Sequence, residues 1–412
     1  MRIASKTIMA LTLTALCGSS MMTSCCGHNV EVEEEVPILM GASYVGTKAV
    51  IDNKQSLIDQ SVNGSTGFGV FGYKTKTVDD YQRLFNNQLV EPSGDPAGTT
   101  WTYTPIKYWD SNPAVSYQFI AYWPKLGSDD NNSPYVSEIG KILTIHNIPN
   151  WQKAKIGQNQ TFDFNYDEDG DHVETYPADH IVPEAMDFLT SVRVGQYASS
   201  NPNVQTEFRN RIVDFTFKHL LAKVEFRAYY VGEQSKKITV KSITLKENGT
   251  NYIMKPDGVV NATQEFHESG HEALVGNATS GATGNVMNLL GAADFTAPAV
   301  GVVLPQGTWS ATNDTVRTQH LCTWLTVPST NWNNLNLEFE YAINDATTTG
   351  TATGLTLTTT DANSTQHVGQ TFSGHSYVVT LKFTVANGIE IESIQVKNWE
   401  NANPSTPSVY NW

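Results

Sequence analysis

Apolar side chains recur at every second position along five stretches of this chain. Tyr117, Phe119, Ala121 and Trp123 form one such series, and Val213, Phe215 and Phe217 a second. Val224, Phe226, Ala228 and Tyr230 form a third, and Tyr377, Val379, Leu381, Phe383 and Val385 a fourth. In the fifth, Leu335, Leu337, Phe339 and Tyr341 alternate with Asn334, Asn336, Glu338 and Glu340. A period of two is the period of a strand, and it predicts sheets with one buried and one wet face. Gly, Asn, Asp and Pro punctuate these runs at short intervals, and Thr, Val, Tyr and Trp fill them. Helical periodicity is scarce, and only 78–89 and 183–189 are expected to form short helices. Without a βαβ rhythm the pattern points to an all-β chain of β-sandwiches. No short repeat supports a solenoid or propeller. The length predicts two domains, 36–205 and 206–412, divided just after the polar stretch 197–203 and before the strand that opens at Ile212. Residues 276–284 read as a long loop, and the Thr-rich 347–360 as an edge strand with its turn.

The amino terminus carries a different signal. Arg2 and Lys6 precede a short apolar run from Ile8 to Leu16, which is too short to span a bilayer and reads as a signal peptide over 1–24. Met22-Thr23-Ser24-Cys25 follows, and a small residue before cysteine at this point resembles a lipobox. Resemblance to bacterial lipoproteins implies cleavage before Cys25 and acylation there. Cys26 is the rival, with Thr23 at its −3 position where Cys25 has the more apolar Met22. Residues 25–35 include Glu31-Val32-Glu33-Glu34-Glu35, an acidic tether similar to the signal that sends some lipoproteins to the outer face of the outer membrane. The remaining cysteines are Cys17, in the leader, and Cys322, so the folded body has no internal disulfide. Cys322 lies in a strand-like run and reads as a small buried hydrophobe. The chain holds 41 acidic residues against 26 basic ones, two of them in the leader, for a net charge of −15. That balance argues against nucleic acid as a partner.

Two motifs suggest metal chemistry. His267-Glu268-Ser269-Gly270-His271 matches H-E-x-x-H, in which two histidines one helical turn apart hold zinc and the glutamate activates water. The context is poor. Gly270 weakens a helix, Glu265 and Glu272 flank the motif, and Leu274 stands where a longer zinc signature needs glycine. Residues 267–271 are therefore expected in a solvated loop, and a zinc protease is the least favoured function. The segment from Asn165 to Asp171 resembles the first half of a calcium loop, with Gly170 at its sixth position, but Tyr176 occupies the place of the bidentate glutamate. An acidic surface turn is the expectation. No phosphate-binding loop, G-x-S-x-G or dinucleotide fingerprint is present, so neither a catalytic residue nor a cofactor is expected. His219 reads as a packing histidine, and Tyr108-Trp109 and Tyr122-Trp123 as core.

Four blocks then occur in a telling order: GFGVFGY at 67–73, WTYTPIKYW at 101–109, YQFIAYWP at 117–124 and FKHLLAKVEF at 217–226. Together with the lipobox they resemble the fimbrillin family, lipoprotein subunits of type V pili in gut and oral Gram-negative anaerobes. The resemblance implies two tandem transthyretin-like β-sandwich domains, a place in a fimbrium at the outer membrane and cell surface, and a role in adhesion. It implies other pilin subunits, the outer-membrane lipid, and a host or bacterial surface ligand as partners. The rival is a free-standing surface lipoprotein that binds glycan or protein. Fimbrillin subunits lose a first strand to a trypsin-like protease, and a neighbour's carboxy-terminal strand takes its place. Here residues 36–45 are apolar enough to be that first strand. Lys48 is the first basic residue after the lipobox and the expected cleavage site, and 389–412 is the expected donor.

Overall fold

The computed structural model describes residues 36–44, 67–75, 81–93, 100–110, 112, 115–128, 134–149, 151–154, 164–166, 172–174, 189–194, 212–247, 259–265, 286–295, 300–307, 318–328, 332–333, 335–360, 365–385 and 388–398. Most of them lie in strands. The first are β1 Met40–Tyr44, β2 Phe68–Thr75, β3 Tyr81–Ser93, β4 Thr100–Thr102, β5 Ser116–Trp123, β6 Tyr135–Ile139, β7 Ile142–Pro149 and β8 Trp151–Ala154. Then come β9 Phe164–Tyr166, β10 His172–Glu174, β11 Leu189–Val194, β12 Val213–His219, β13 Ala222–Val231, β14 Ile238–Lys246, β15 Val259–Glu265 and β16 Val286–Leu290. The last are β17 Val302–Val303, β18 Gln319–Thr326, β19 Leu335–Ile343, β20 Ala346–Leu355, β21 Thr358–Thr360, β22 Gln366–Val368, β23 His375–Thr384 and β24 Gly388–Asn398. The one helical element among the described residues is a 3-10 turn, Ala292–Asp294.

Seven strands form one sheet in the order β1-β12-β11-β5-β2-β3-β4. It curls until its two ends meet. Just before β1, Pro37 bridges Tyr108, in the segment that follows β4. The concave side encloses an apolar cluster built on Phe68, Phe119, Phe215 and Phe217. Close backbone approach explains the glycines of the first block. A Cβ on Gly69 would lie 2.3 Å from the Tyr122 ring, and one on Gly72 2.8 Å from Phe119.

One buried and one wet face was expected throughout, and that holds for β19 but not for β5. On β19, Leu335, Leu337, Phe339 and Tyr341 are buried while Glu340 is exposed. On β5, Ile120 and Tyr122 are as buried as Phe119 and Ala121. The reason is a second layer. A three-stranded sheet, β15-β7-β6, brings Val136, Leu143, Ile145 and Ile148 into one cluster with Phe71, Tyr73, Ile120 and Tyr122. Two further expectations give way. Residues 81–89 belong to strand β3 and not to a helix, and Leu189 opens strand β11 while 183–188 lie outside the described residues. Val385 is exposed, because β23 ends one residue earlier.

A buried carboxylate pins these layers together. The side chain of Glu138 on β6 is fully buried; it accepts hydrogen bonds from the Tyr73 hydroxyl on β2 and from Arg83 Nη2 on β3. Its other oxygen accepts the Lys141 amide at 2.7 Å. Burial, and then the hydrogen bond to Glu138, push the Tyr73 phenol up to about 12. Replacing Glu138 by alanine is expected to cost about 2 kcal/mol. That is less than for a wholly buried pair, because the half-exposed Arg83 can turn to water. The urea midpoint reads this, and an unchanged midpoint would show that the network contributes no stability.

The carboxy-terminal half is a two-sheet sandwich. Sheet β24-β23-β13-β18-β8 faces sheet β16-β14-β19-β20, with β17 paired to β14. Val224, Phe226, Val379 and Leu381 from the first meet Ile243, Leu245, Leu337 and Phe339 from the second. Strands β19 and β20 join through Asn344 and Asp345, at φ 48° and 70°, the left-handed pair that a tight hairpin needs. β20 is an edge strand, as its Thr-rich sequence suggests. Across the middle of the chain, β7 pairs with β15 and β8 with β18, while β12 lies in the seven-stranded sheet. The chain passes from that sheet to the carboxy-terminal sandwich between His219 and Ala222.

Candidate assembly site

The first strand closes the curled sheet, and its alternation says how. Ile38, Met40 and Ala42 are buried, whereas Leu39 is 51% exposed. Pro37 and Leu39 face solvent, and Ile38, Met40 and Ala42 face the aromatic cluster, as a strand over a core requires. Backbone bonds hold the segment on both sides. Ile38 N donates to Lys107 O at 2.8 Å, and Trp109 N donates to Val36 O at 2.9 Å. On the other flank Val213 N donates to Leu39 O at 2.8 Å, and β1 runs parallel to β12 with Met40 opposite Val213 and Tyr44 opposite Phe217. The Tyr103 hydroxyl adds a bond to Ile38 O at 2.7 Å. Burial raises the Tyr103 phenol, so it stays a donor.

The groove is aromatic. The Phe68 ring centre lies 4.9 Å from Trp101, 5.6 Å from Phe215 and 5.3 Å from Phe217. Trp109 packs edge-on against Tyr117 at 4.7 Å. Lifting β1 out would uncover these rings and leave the backbone of β12 and of 107–109 unpaired. An exposed edge beside an apolar groove is a template for another strand. Sequence reading found the strand but missed its second flank. The signal was the aromatic density of 101–109, which fits a segment packed on both the core and a neighbouring strand.

The other expected site residues fall as follows. Cys25, Lys48, the His267, Glu268 and His271 motif, and Asp167 to Asp171 all lie outside the described residues. β9 and β10, on either side of the acidic segment, pair with Tyr166 opposite His172. The expected donor segment is partly in use: Gly388–Asn398 is β24, docked on β23, with Ile391, Ile394 and Val396 against the core. That leaves 399–412 beyond it. Cys322 is buried, and desolvation pushes its thiol up to about 12, so it stays protonated and inert as a nucleophile. His219, Tyr122, Trp109 and Trp123 are buried, but Tyr108, expected in the core, is 45% exposed because it stands opposite Pro37 on the outer face.

A family model described as fimbrillin-like matches residues 47–399. The chain belongs to the fimbrillin-like family. Its place is therefore among the subunits of fimbriae, the adhesive appendages of the bacterial surface, and its family is structural. Among solved structures it is similar to a fimbrial protein from Bacteroides vulgatus, at 15% identity and a TM-score of 0.45, covering 88% of this chain and 99% of that one. It is also similar to the tip fimbrial protein Mfa3 from Porphyromonas gingivalis, at 8% identity and a TM-score of 0.32, covering 89% and 100%. No curated protein matches it.

Proposed function

We propose that this fimbrillin is a surface-anchored pilus subunit that polymerises by exchanging β1 for a strand of a neighbouring subunit. The observation that carries the reading is the closure of the curled sheet by β1. The segment 36–44 has two hydrogen-bonding flanks and three side chains, Ile38, Met40 and Ala42, sunk in an aromatic groove. Such a strand is replaceable by any chain of matching pattern. Acylation at Cys25 holds the subunit in the outer membrane on its acidic tether. Cleavage after Lys48, four residues beyond the end of β1, then frees the strand from the body. The donor is the 399–412 segment of the next subunit, alone or with β24 peeled from its edge. Because that segment carries Pro404 and Pro407, the arrangement suits a tip or anchor subunit better than a shaft subunit. The body is read as two sandwich domains, 36–205 and 206–412, with β12 returned to the first sheet by the second segment. The assembled pilus supports adhesion to a host or bacterial surface.

Sequencing the amino terminus of surface-assembled material tests this directly. Polymers are expected to begin at Ala49, and Lys48→Ala should abolish polymer ladders. If every polymer begins at the acylated cysteine, or Lys48→Ala polymerises as the parent does, proteolytic activation is wrong. Cys25→Ala is expected to release the subunit from the membrane fraction and to remove labelled palmitate. Retention of label in Cys25→Ala with loss in Cys26→Ala would move the anchor by one residue.

A further inference from the structure

The segment 101–109, which closes against residues 36–44, carries three buried polar tips, and residues 36–44 satisfy only one of them. The Tyr103 hydroxyl bonds the backbone oxygen of Ile38. Trp101, on β4, and Trp109, whose amide bonds Val36, stand on either side of Tyr103 in the chain and in the same apolar cluster as Ile38, Met40 and Ala42. Both tryptophans are more than nine-tenths buried, and the Nε1 atom of each is buried without a hydrogen-bond acceptor. Buried donors of this kind are uncommon, and each costs the free energy of stripping it from water. The inward side chains of residues 38–42 cannot relieve them. Ile38 and Ala42 hold no acceptor, and the Met40 thioether is a weak one. In shape and hydrophobicity β1 suits the groove; in hydrogen bonding it does not.

We propose that the strand which replaces β1 in the assembled pilus presents hydroxyl or carboxamide side chains as acceptors to the indole N–H groups of Trp101 and Trp109. This rests on the strand-exchange reading and adds the chemistry by which the groove selects its partner. It also gives exchange a direction. An incoming strand of equal apolar content that accepts from one indole is preferred over β1 by one buried hydrogen bond. That preference drives replacement without any further energy source.

The test uses the full chain with a site for a sequence-specific protease inserted between β1 and β2, so that β1 stays docked after cutting and can be displaced. The probes are a labelled peptide of residues 36–44 and three variants of it, Ile38→Thr, Met40→Gln and Ala42→Ser. The receptors are the cut parent and the cut pair variant Trp101→Phe with Trp109→Phe, which keeps the rings and removes both donors. Each single variant gives the same readout where the pair does not fold. For at least one variant peptide, affinity relative to the unmodified peptide is expected to be roughly tenfold higher on the parent receptor than on the phenylalanine receptor. Equal ratios on both receptors for all three peptides would overturn the inference and leave strand exchange standing. Failure of every peptide to displace β1 from either receptor would overturn the strand-exchange reading itself, and this inference with it.

Discussion

Replacing Ile38 by aspartate is expected to expel β1 from its groove and leave the carboxy-terminal sandwich folded. Ile38 is fully buried, and its backbone already spends both its polar groups on Lys107 and Tyr103. A carboxylate at this position meets the apolar, aromatic cluster, which holds no cation among the described residues. Loss of the isoleucine burial and desolvation of the new charge together come to about 4 kcal/mol or more. The chain has a cheaper escape than global unfolding. β1 sits at the end of the sheet, and local opening of an end strand relieves the charge completely. The expected signature is threefold: strong binding of an apolar dye, loss of amide protection over 36–44, and unchanged protection in β13 and β23. Leu39→Asp is the control. Its side chain faces solvent, so its effect should stay within about 0.5 kcal/mol. Equal dye binding by the two variants would mean that the inward and outward faces of β1 have been assigned wrongly.

That alternation was legible in the sequence wherever one face of a strand is wet. The series at 335–341 and 213–217 name the buried residues correctly, because charged or polar residues mark the other face. At β5 the sequence YQFIAYW is apolar on both faces, and a period of two could not announce that a second sheet lies above Ile120 and Tyr122. The covering strands β6 and β7 are contiguous with each other, but their partner β15 lies more than 100 residues further on. Such a distant pairing leaves no local trace.

The helix expected at 78–89 failed for a different reason. Its apolar residues Val78, Tyr81, Phe85 and Leu89 recur at three and four, the spacing of a helical face. Against β2, however, the register slips twice: Val70 faces Gln88, Gly72 faces Phe85 and Tyr73 faces Arg83. Each slip is a β-bulge, an extra residue on β3 that resets which face the next side chain occupies. Asn87, at φ +50°, sits in the first of them. Two bulges in one strand turn a period of two into something that counts like a helix. The assembly site was half visible. Residues 36–45 read as a strand from their composition, but that β1 runs parallel to β12, and that 107–109 forms its other flank, are facts of topology.

Acid is expected to destabilise the carboxy-terminal sandwich through a single buried glutamate. Glu225 on β13 is 5% exposed, two residues from Arg227 on the same face of the strand, and the two form an ion pair. Burial alone would raise its pKa. Arg227, then His320 and Lys223, outweigh burial and hold it at about 2, against about 4.5 when free. The unfolded chain therefore takes up this proton at a higher pH than the folded one does. The stabilisation is complete above about 4.5 and is lost as pH falls through about 2. A depression of that size corresponds to ~3 kcal/mol. The chain's other carboxylates also titrate in this range, so the measurement must be a difference. Urea unfolding of parent and Glu225→Gln at a series of pH values from 7 to 2 supplies it. The variant is expected to start about 3 kcal/mol less stable at pH 7, because it lacks the charge that Arg227, His320 and Lys223 stabilise in the folded chain. The gap should then close as the parent's Glu225 protonates. Adding Arg227→Met to Glu225→Gln removes the cation that Glu225 had paired and should restore part of the loss at pH 7. A gap between parent and Glu225→Gln that stays constant down to pH 2 would show that Glu225 titrates alike in the folded and unfolded chains.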